Sequence, residues 1–362
     1  MKKTISLTLV LALCMVVKAD FTFGEPTNLG PTVNNSANEW GPSISADGLW
    51  LFFASDRPGG HGNYDIWMTE RQTSERNPEG YWIEPVNLGP TVNSSSTEYD
   101  PSISSDGLSL FFWSDRPDGY GSRDLLVSTR VTTNAPWGDP VNLGPIINSS
   151  FAEVGPDISS DGLELYFVCL DKPGGYGQYD IWMAERDTID DYWGAPTILG
   201  PSVNSSAREG GPSISADGLS LFFFSDRPGS YGVRDIWVTR RSTKAGPWGT
   251  PVNLGPTVNN SARNLVPDTS SDGCMLFFTS DRPGGVGNFD LYQAPIIPIV
   301  DLNSDGIVDA DDMCIMVYHW GTDNSLCDIG PMPWGDGVVD VEDLIVLAEH
   351  LFEELPGRPI EP

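Results

Sequence analysis

Apolar residues occur along most of the chain as short bursts divided by Gly, Pro, Asn and Asp. Residues 212–241 show the scheme. Positions 212–215 read as a short strand, and Ala216-Asp217-Gly218 reads as a tight turn. Positions 219–224 are apolar on both faces, as in a strand whose sheet is packed between two others. After a Gly/Pro loop at 225–232 comes a third strand at 235–240, with Ile236 and Val238 on one face and Trp237 on the other. A polar loop leads to a fourth strand at 248–254.

This pattern recurs five times. The opening prolines are Pro42, Pro101, Pro156, Pro212 and Pro267, spaced 59, 55, 56 and 55 residues apart. A fixed period of this size marks a repeat architecture, and four short antiparallel strands per repeat make one propeller blade. The fifth copy runs into residues 291–295 and lacks a fourth strand. Residues 23–30 match residues 137–144, so the first segment of the mature chain is expected to complete the last blade. The expectation is an all-β, five-bladed propeller over residues 20–296.

The repeats resemble the WD40-like, TolB-type (PD40) propeller family. The resemblance rests on Pro-Ser-Ile-Ser-x-Asp-Gly, Leu-Phe-Phe-x-Ser-Asp-Arg-Pro-Gly and Tyr-Asp-Ile-Trp. It implies a binding or scaffold module of the cell envelope or exterior, and it names no ligand.

Composition narrows the partners. The net charge of −30, with 50 acidic against 20 basic residues, repels a phosphate backbone and argues against nucleic acid. Lys2, Lys3 and the apolar run at 5–17 read as a secretory signal over residues 1–19, too short for a comfortable membrane span. Secretion is the expectation. Lipid anchoring through Cys14 is the weaker alternative, because Leu13 is a poor fit to the small residue that such processing needs.

Residues 297–300 read as a linker, residues 301–356 as a separate acidic module and 357–362 as a tail. Asp301, Asn303, Asp305, Asp309 and Asp312 place oxygen ligands at positions 1, 3, 5, 9 and 12 of a twelve-residue loop, with the Ile307 carbonyl at position 7. Gly306 supplies the sharp turn, and calcium is the cation this set suits. A second copy is partial: Asp336, the Val338 carbonyl, Asp340 and Asp343 fill positions 5 to 12, while Met332 and Trp334 stand at positions 1 and 3. Asp328 could serve in an expanded loop, and a metal-free turn stays open there. Each loop leads into an apolar helix. Two such units resemble a type I dockerin, which implies duplicated calcium sites and docking onto a cohesin-like partner. The Ser/Thr pairs common at the contact positions are replaced by Ala310-Asp311 and Val341-Glu342. Cys314 and Cys327 are expected to form a disulfide that staples this small module, and Cys169 and Cys274 to be buried thiols.

Carboxylates repeated in every blade, such as Asp47, Asp56 and Asp65 with their equivalents, read as turn formers and ion-pair partners. Function is expected where copies differ or where repetition builds a shared ring. Glu39, Glu98, Glu153 and Glu209 are the candidates for the upper mouth of the channel, with Tyr120, Tyr176 and Tyr231 further out on the same face. Carboxylates with aromatics suit a glycan or a protein ligand. The reading is a non-catalytic recognition protein. The alternatives are a polysaccharide-degrading glycoside hydrolase, or an accessory to one, and an envelope scaffold.

Overall fold

The innermost strand begins three residues before the opening proline in four repeats and four before it in the third, at Glu209–Ile214 in the fourth copy rather than at position 212. It pairs with Ser220–Ser225, which pairs with Asp235–Arg240, which pairs with Val252–Asn253. All six residues of Ser220–Ser225 are buried, as a strand with neighbouring sheets on both faces requires. The fold comes from a computed structural model that describes residues 21–74, 77–298, 300, 302, 307–322, 327, 329–330 and 338–352.

Five such sheets form a closed ring. The inner strands Glu39–Ile44, Glu98–Ile103, Ala152–Ile158, Glu209–Ile214 and Asn264–Thr269 each pack on the next, and the fifth packs on the first. The N-terminal segment closes the ring as the repeat pattern predicts: Thr27–Asn28 pairs with Asp290–Pro298 through Thr27 with Gln293 and Asn28 with Tyr292. Phe21–Phe23 pairs with the far end of that same strand, which reaches Pro298 and so takes in the first residues of the expected linker. The longer first spacing is a strand extension, the hairpin of Asp65–Ser74 with Asn77–Trp82.

The core lies between blades. Tyr166, Val168 and Ile181 of blade three pack against Leu221, Phe223 and Trp237 of blade four. A buried asparagine ties each blade-to-blade crossing to the third strand that it leaves. Asn93 accepts from the Ile66 amide at 2.8 Å and donates to the Ile66 carbonyl at 3.0 Å; Asn34, Asn148, Asn204 and Asn259 repeat this on Leu291, Leu125, Ile181 and Ile236. These asparagines satisfy main-chain groups that sheet pairing leaves over.

Every inner strand carries a bulge just before its proline. The bulged residue is left-handed in all five copies: Gly41 (φ 56°), Asp100 (48°), Gly155 (56°), Gly211 (54°) and Val266 (43°). Glycine suits that conformation; Asp tolerates it poorly and β-branched Val worse. Copies two and five therefore hold strained residues at the channel neck.

Beyond the ring, α1 (Ala310–Tyr318) and α2 (Val341–Glu349) begin alike. Asp309 and Asp340 cap them, and Asp312 and Asp343 complete the capping boxes. Val308, Met316, Cys327, Val339 and Leu347 form a small core around them. Here the expected disulfide is corrected. Cys327 is fully buried in that core, whereas Cys314 is exposed on the face of α1 opposite Asp312 and Met316, and both thiols are free. Cys274 is likewise exposed rather than buried; Cys169 is buried. Among the described residues no helix is long and apolar enough to cross a membrane.

Candidate functional site at the channel mouth

Where the inner strands enter the bulge, the channel widens into a cavity of about 670 Å³. Its walls come from three positions per repeat, each varying between copies. The residue before the bulge is Trp40, Tyr99, Val154, Gly210 or Leu265. The bulged residue supplies Asp100, Gly155, Gly211 and Val266 to the floor. The residue that opens into the third strand is Tyr64, Arg123, Tyr179 or Arg234, and Phe289 in the fifth copy. That last set alternates aromatic with arginine round most of the mouth.

The two sides of the cavity differ. On blades one and two the rings of Trp40, Tyr64, Tyr99 and Trp113 interlock, with centroids 5.8 Å apart for Trp40–Tyr99, 4.9 Å for Tyr64–Tyr99 and 5.1 Å for Tyr99–Trp113. Edge-on and tilted contacts of this kind hold aromatic side chains rigidly. On blades three to five the wall is Tyr179, Phe224, Leu265 and Val266, with the Phe224 ring packed directly against Gly210.

Asp100 closes the floor. Its Oδ2 accepts from the Trp113 indole N–H at 2.9 Å, and its Oδ1 is buried without a hydrogen-bond partner. The side chain lies over Gly41: a Cβ placed there would stand 2.7 Å from Oδ1. Burial pushes the Asp100 carboxyl up to about 6, against the opposing pull of the Trp113 hydrogen bond and the Arg123 charge. Asp100 is the single acid in its column, since the other copies have Gly or Val.

Below Asp100 the channel narrows to a void of about 10 Å³ lined by Ser43, Asp157 and Asp268 among others. The Pro-Ser-Ile serine is replaced by Asp in copies three and five. Asp157 Oδ2 accepts from the Ile214 amide and Asp268 Oδ2 from the Ile44 amide, both at 2.7 Å. Serine does the same elsewhere: Ser43 Oγ accepts from the Ile103 amide and Ser102 Oγ from the Ile158 amide, each at 3.1 Å. Burial raises both carboxyls, Asp268 to about 7, and their mutual repulsion raises Asp157 further.

The expected glutamate ring does not line this cavity. Glu39, Glu98, Glu153 and Glu209 are fully buried. Glu209 Oε1 takes the Arg227 guanidinium at 3.0 Å and the Ser225 hydroxyl at 3.0 Å, while Oε2 accepts from the Ser205 amide at 2.9 Å. Glu39 and Glu98 do the same with Arg57 and Arg116. In blade three Lys172 replaces the arginine and Glu153 keeps the Ser149 contacts. Burial outweighs the Arg57 charge and pushes Glu39 up to about 7. These glutamates hold the loops above the neck. Tyr120, Tyr176 and Tyr231 are about half exposed, at 51%, 45% and 55%, on the outer loops away from the cavity lining. The sequence signal that does find the lining is variation: it appears when the five copies are aligned and the columns that differ just before the opening proline and the third strand are read together.

Of the expected cation ligands, Asp301, Asn303, Asp305, Asp328 and Asp336 lie outside the described residues. The described ones, Ile307, Asp309, Asp312, Val338, Asp340 and Asp343, cluster at the two helix starts. Asp312 is fully buried: Oδ1 accepts from the Leu302 amide at 2.7 Å and Oδ2 from the Asp309 amide at 2.9 Å. Asp343 accepts from the Ile329, Gly330 and Asp340 amides in the same manner. Those bonds fix each carboxylate, and among the described residues no three acidic, histidine or cysteine side chains gather into a metal-holding group. Val317, Tyr318, Val341, Ile345 and Phe352 are exposed on the same small module.

No protein-family model matches the chain, and no curated protein matches it. Solved structures are similar in fold. A thermostable family-43 glycoside hydrolase aligns at TM-score 0.50 with 12% identity, over 75% of this chain and 92% of that protein. The α-L-arabinofuranosidase of Podospora anserina aligns at 0.49 with 14% identity, over 77% and 98%. TolB from Acinetobacter baumannii aligns at 0.46 with 14% identity, over 73% of this chain and 56% of TolB, so the chain spans little more than half of that protein. At these identities the likeness is one of fold, the five-bladed propeller.

Proposed function

We propose that this chain is an exported recognition protein whose channel mouth binds a saccharide and whose C-terminal module, holding calcium, docks it to a partner. The carrying observation is the 670 Å³ cavity, built from rigid aromatic side chains at just the positions where the repeats stop being alike. Flat aromatic rings receive the apolar faces of sugar rings, and a few polar groups beside them set orientation. Titration calorimetry against an oligosaccharide panel tests the reading: Trp40→Ala and Tyr99→Ala should each weaken the best ligand about tenfold or more without lowering the melting temperature by more than a few degrees. Unchanged affinity in both variants rules the mouth out.

The calcium loop is supported by the matched capping aspartates and the buried, fixed carboxylates of Asp312 and Asp343. The exposed apolar residues on α1 and α2 support docking, with a cohesin-like protein as the expected partner. Capture from a secreted fraction with and without calcium, using chains with and without residues 301–362, tests it. An identical catch from both chains rejects the docking role.

A hydrolytic reading has one observation in its favour: Asp100, an acid with a raised pKa on the cavity floor. Glycoside hydrolysis needs a second carboxylate in a different role. The other acids of the lining, Asp56 and Asp115, belong to a column present in every blade and accept from the Asn38 and Thr97 amides. Binding is therefore the better-supported reading. Release of reducing sugar by the native chain, lost in Asp100→Asn, would reverse that preference.

A further inference from the structure

Arginine in this acidic chain is mostly engaged. Arg57, Arg116 and Arg227 pair with buried glutamates, Arg241 with Glu164 and Arg263 with Asp281. Arg123 and Arg234, both in the cavity lining, depart from this. Each lies over an aromatic ring, Arg123 at 4.8 Å from Trp113 and Arg234 at 5.4 Å from Phe224, and neither guanidinium has a hydrogen bond or ion pair among the described residues. Arg123 has Asp100 near it. Arg234 has no acid in its part of the lining, which is Tyr179, Gly210, Gly211, Phe224, Leu265 and Val266.

More positive charge gathers round Arg234. Its backbone bridges to Arg263, and Arg208 bridges to Tyr179. Arg208 takes only the neutral Gln178 side chain, at 2.9 Å. Burial first, then the Arg208 and Arg263 charges, lower the Arg234 pKa against the opposing pull of Tyr179 and Asp226. A guanidinium held half-buried and backed by a ring, with the Asp226 charge near it but no hydrogen-bonded carboxylate among the described residues, has its planar fork open to an acceptor. The Phe224 ring packs directly over Gly210, where a Cβ would stand 2.4 Å from it, so this part of the wall is a ring face beside Arg234 where blades one and two have Trp40 and Tyr99.

We infer that the saccharide bound at the mouth is acidic, with a sugar carboxylate received by Arg234 in the cavity. The inference rests on the saccharide reading above. A carboxylate matches the guanidinium fork with two parallel hydrogen bonds, and the aromatic wall opposite takes the sugar face. Arg208 adds charge without competing for the contact.

The test compares oligogalacturonate, oligoguluronate and glucuronoxylan fragments with their methyl esters, which keep the rings and lose the charge. Titration calorimetry should show at least one acid bound about tenfold or more tighter than its ester. Arg234→Gln should erase that preference while leaving affinity for the ester unchanged, and Arg234→Lys should restore part of it. The ester control shows that the variant is folded. Equal affinity for acid and ester, or a preference that survives Arg234→Gln, overturns the acidic ligand and leaves the saccharide reading standing. Absence of binding to every saccharide, neutral or acidic, overturns both. A hexaglutamate peptide bound as tightly as the best uronate would replace the sugar with an acidic peptide and overturn the inference.

Discussion

Asp157 and Asp268 stand where three other blades have serine, and two of those serines, Ser43 and Ser102, accept the same blade-to-blade amide hydrogen bond. The second oxygen of each carboxylate accepts a hydroxyl, Asp157 from Ser102 at 3.2 Å and Asp268 from Ser213 at 3.3 Å, so one further link is set against the charge each brings into the channel. With Asp268 raised to about 7, Asp157 raised as well and Asp100 raised to about 6, the folded chain keeps protons that the unfolded chain releases from about pH 4 upward. The unfolded state then binds fewer protons, so stability falls as pH rises from about 4 to 7. Urea unfolding should give greater stability at pH 5 than at pH 8. The double change Asp157→Ser and Asp268→Ser should flatten that slope and add on the order of 1–3 kcal/mol at pH 8. Truncating a buried glutamate should destabilise the chain instead. Glu209→Ala leaves Arg227, the Ser225 hydroxyl and the Ser205 amide without their acceptor, and should cost about 3 kcal/mol in the same assay.

At the scale of strands, the first segment of the propeller decides whether the ring closes. Phe21 and Phe23 are buried with Phe222, Leu276 and Ile296 between blades four and five, and Thr27–Asn28 supplies the outer strand of the last sheet. Removing residues 21–30 exposes the edge of Asp290–Pro298 and a bare apolar seam. Size-exclusion chromatography should then show oligomers, and the melting temperature should fall by ten degrees or so. That closure was legible in the sequence because it depends on residues that repeat: turn glycines, alternating apolar strands and the Asn-Leu-Gly segment. The bulge was not, because the left-handed residue is glycine in only three copies, and Asp100 and Val266 hide the column. The lining was missed for a related reason. Glu39, Glu98, Glu153 and Glu209 looked functional because they recur, but they recur because each blade needs an acceptor under its loop. Arg123 and Arg234 share a column that is aromatic in the other three copies, and only their neighbours in space give them meaning.

For the whole molecule, the field and the mouth pull in opposite directions. The chain carries −30 charges, yet Arg208, Arg234 and Arg263 gather at one part of the mouth, with Asp226 and Asp281 answering part of their charge. An acidic saccharide approaches against the overall field and is held only once it is within a few ångströms of the guanidinium. The Debye length falls from about 30 Å at 0.01 M salt to about 8 Å at 0.15 M, so added salt screens the distant repulsion far more than the close contact. The association rate for an acidic oligosaccharide should therefore rise several-fold over that range, while its dissociation rate changes little. The methyl ester should show neither dependence, because it lacks the charge on which the field acts. Surface plasmon resonance at a series of salt concentrations separates the two rates. An association rate that falls with salt, as it would for an anion steered inward from a distance, would mean that the positive patch reaches further than its three arginines imply and that the acidic surface does not govern approach.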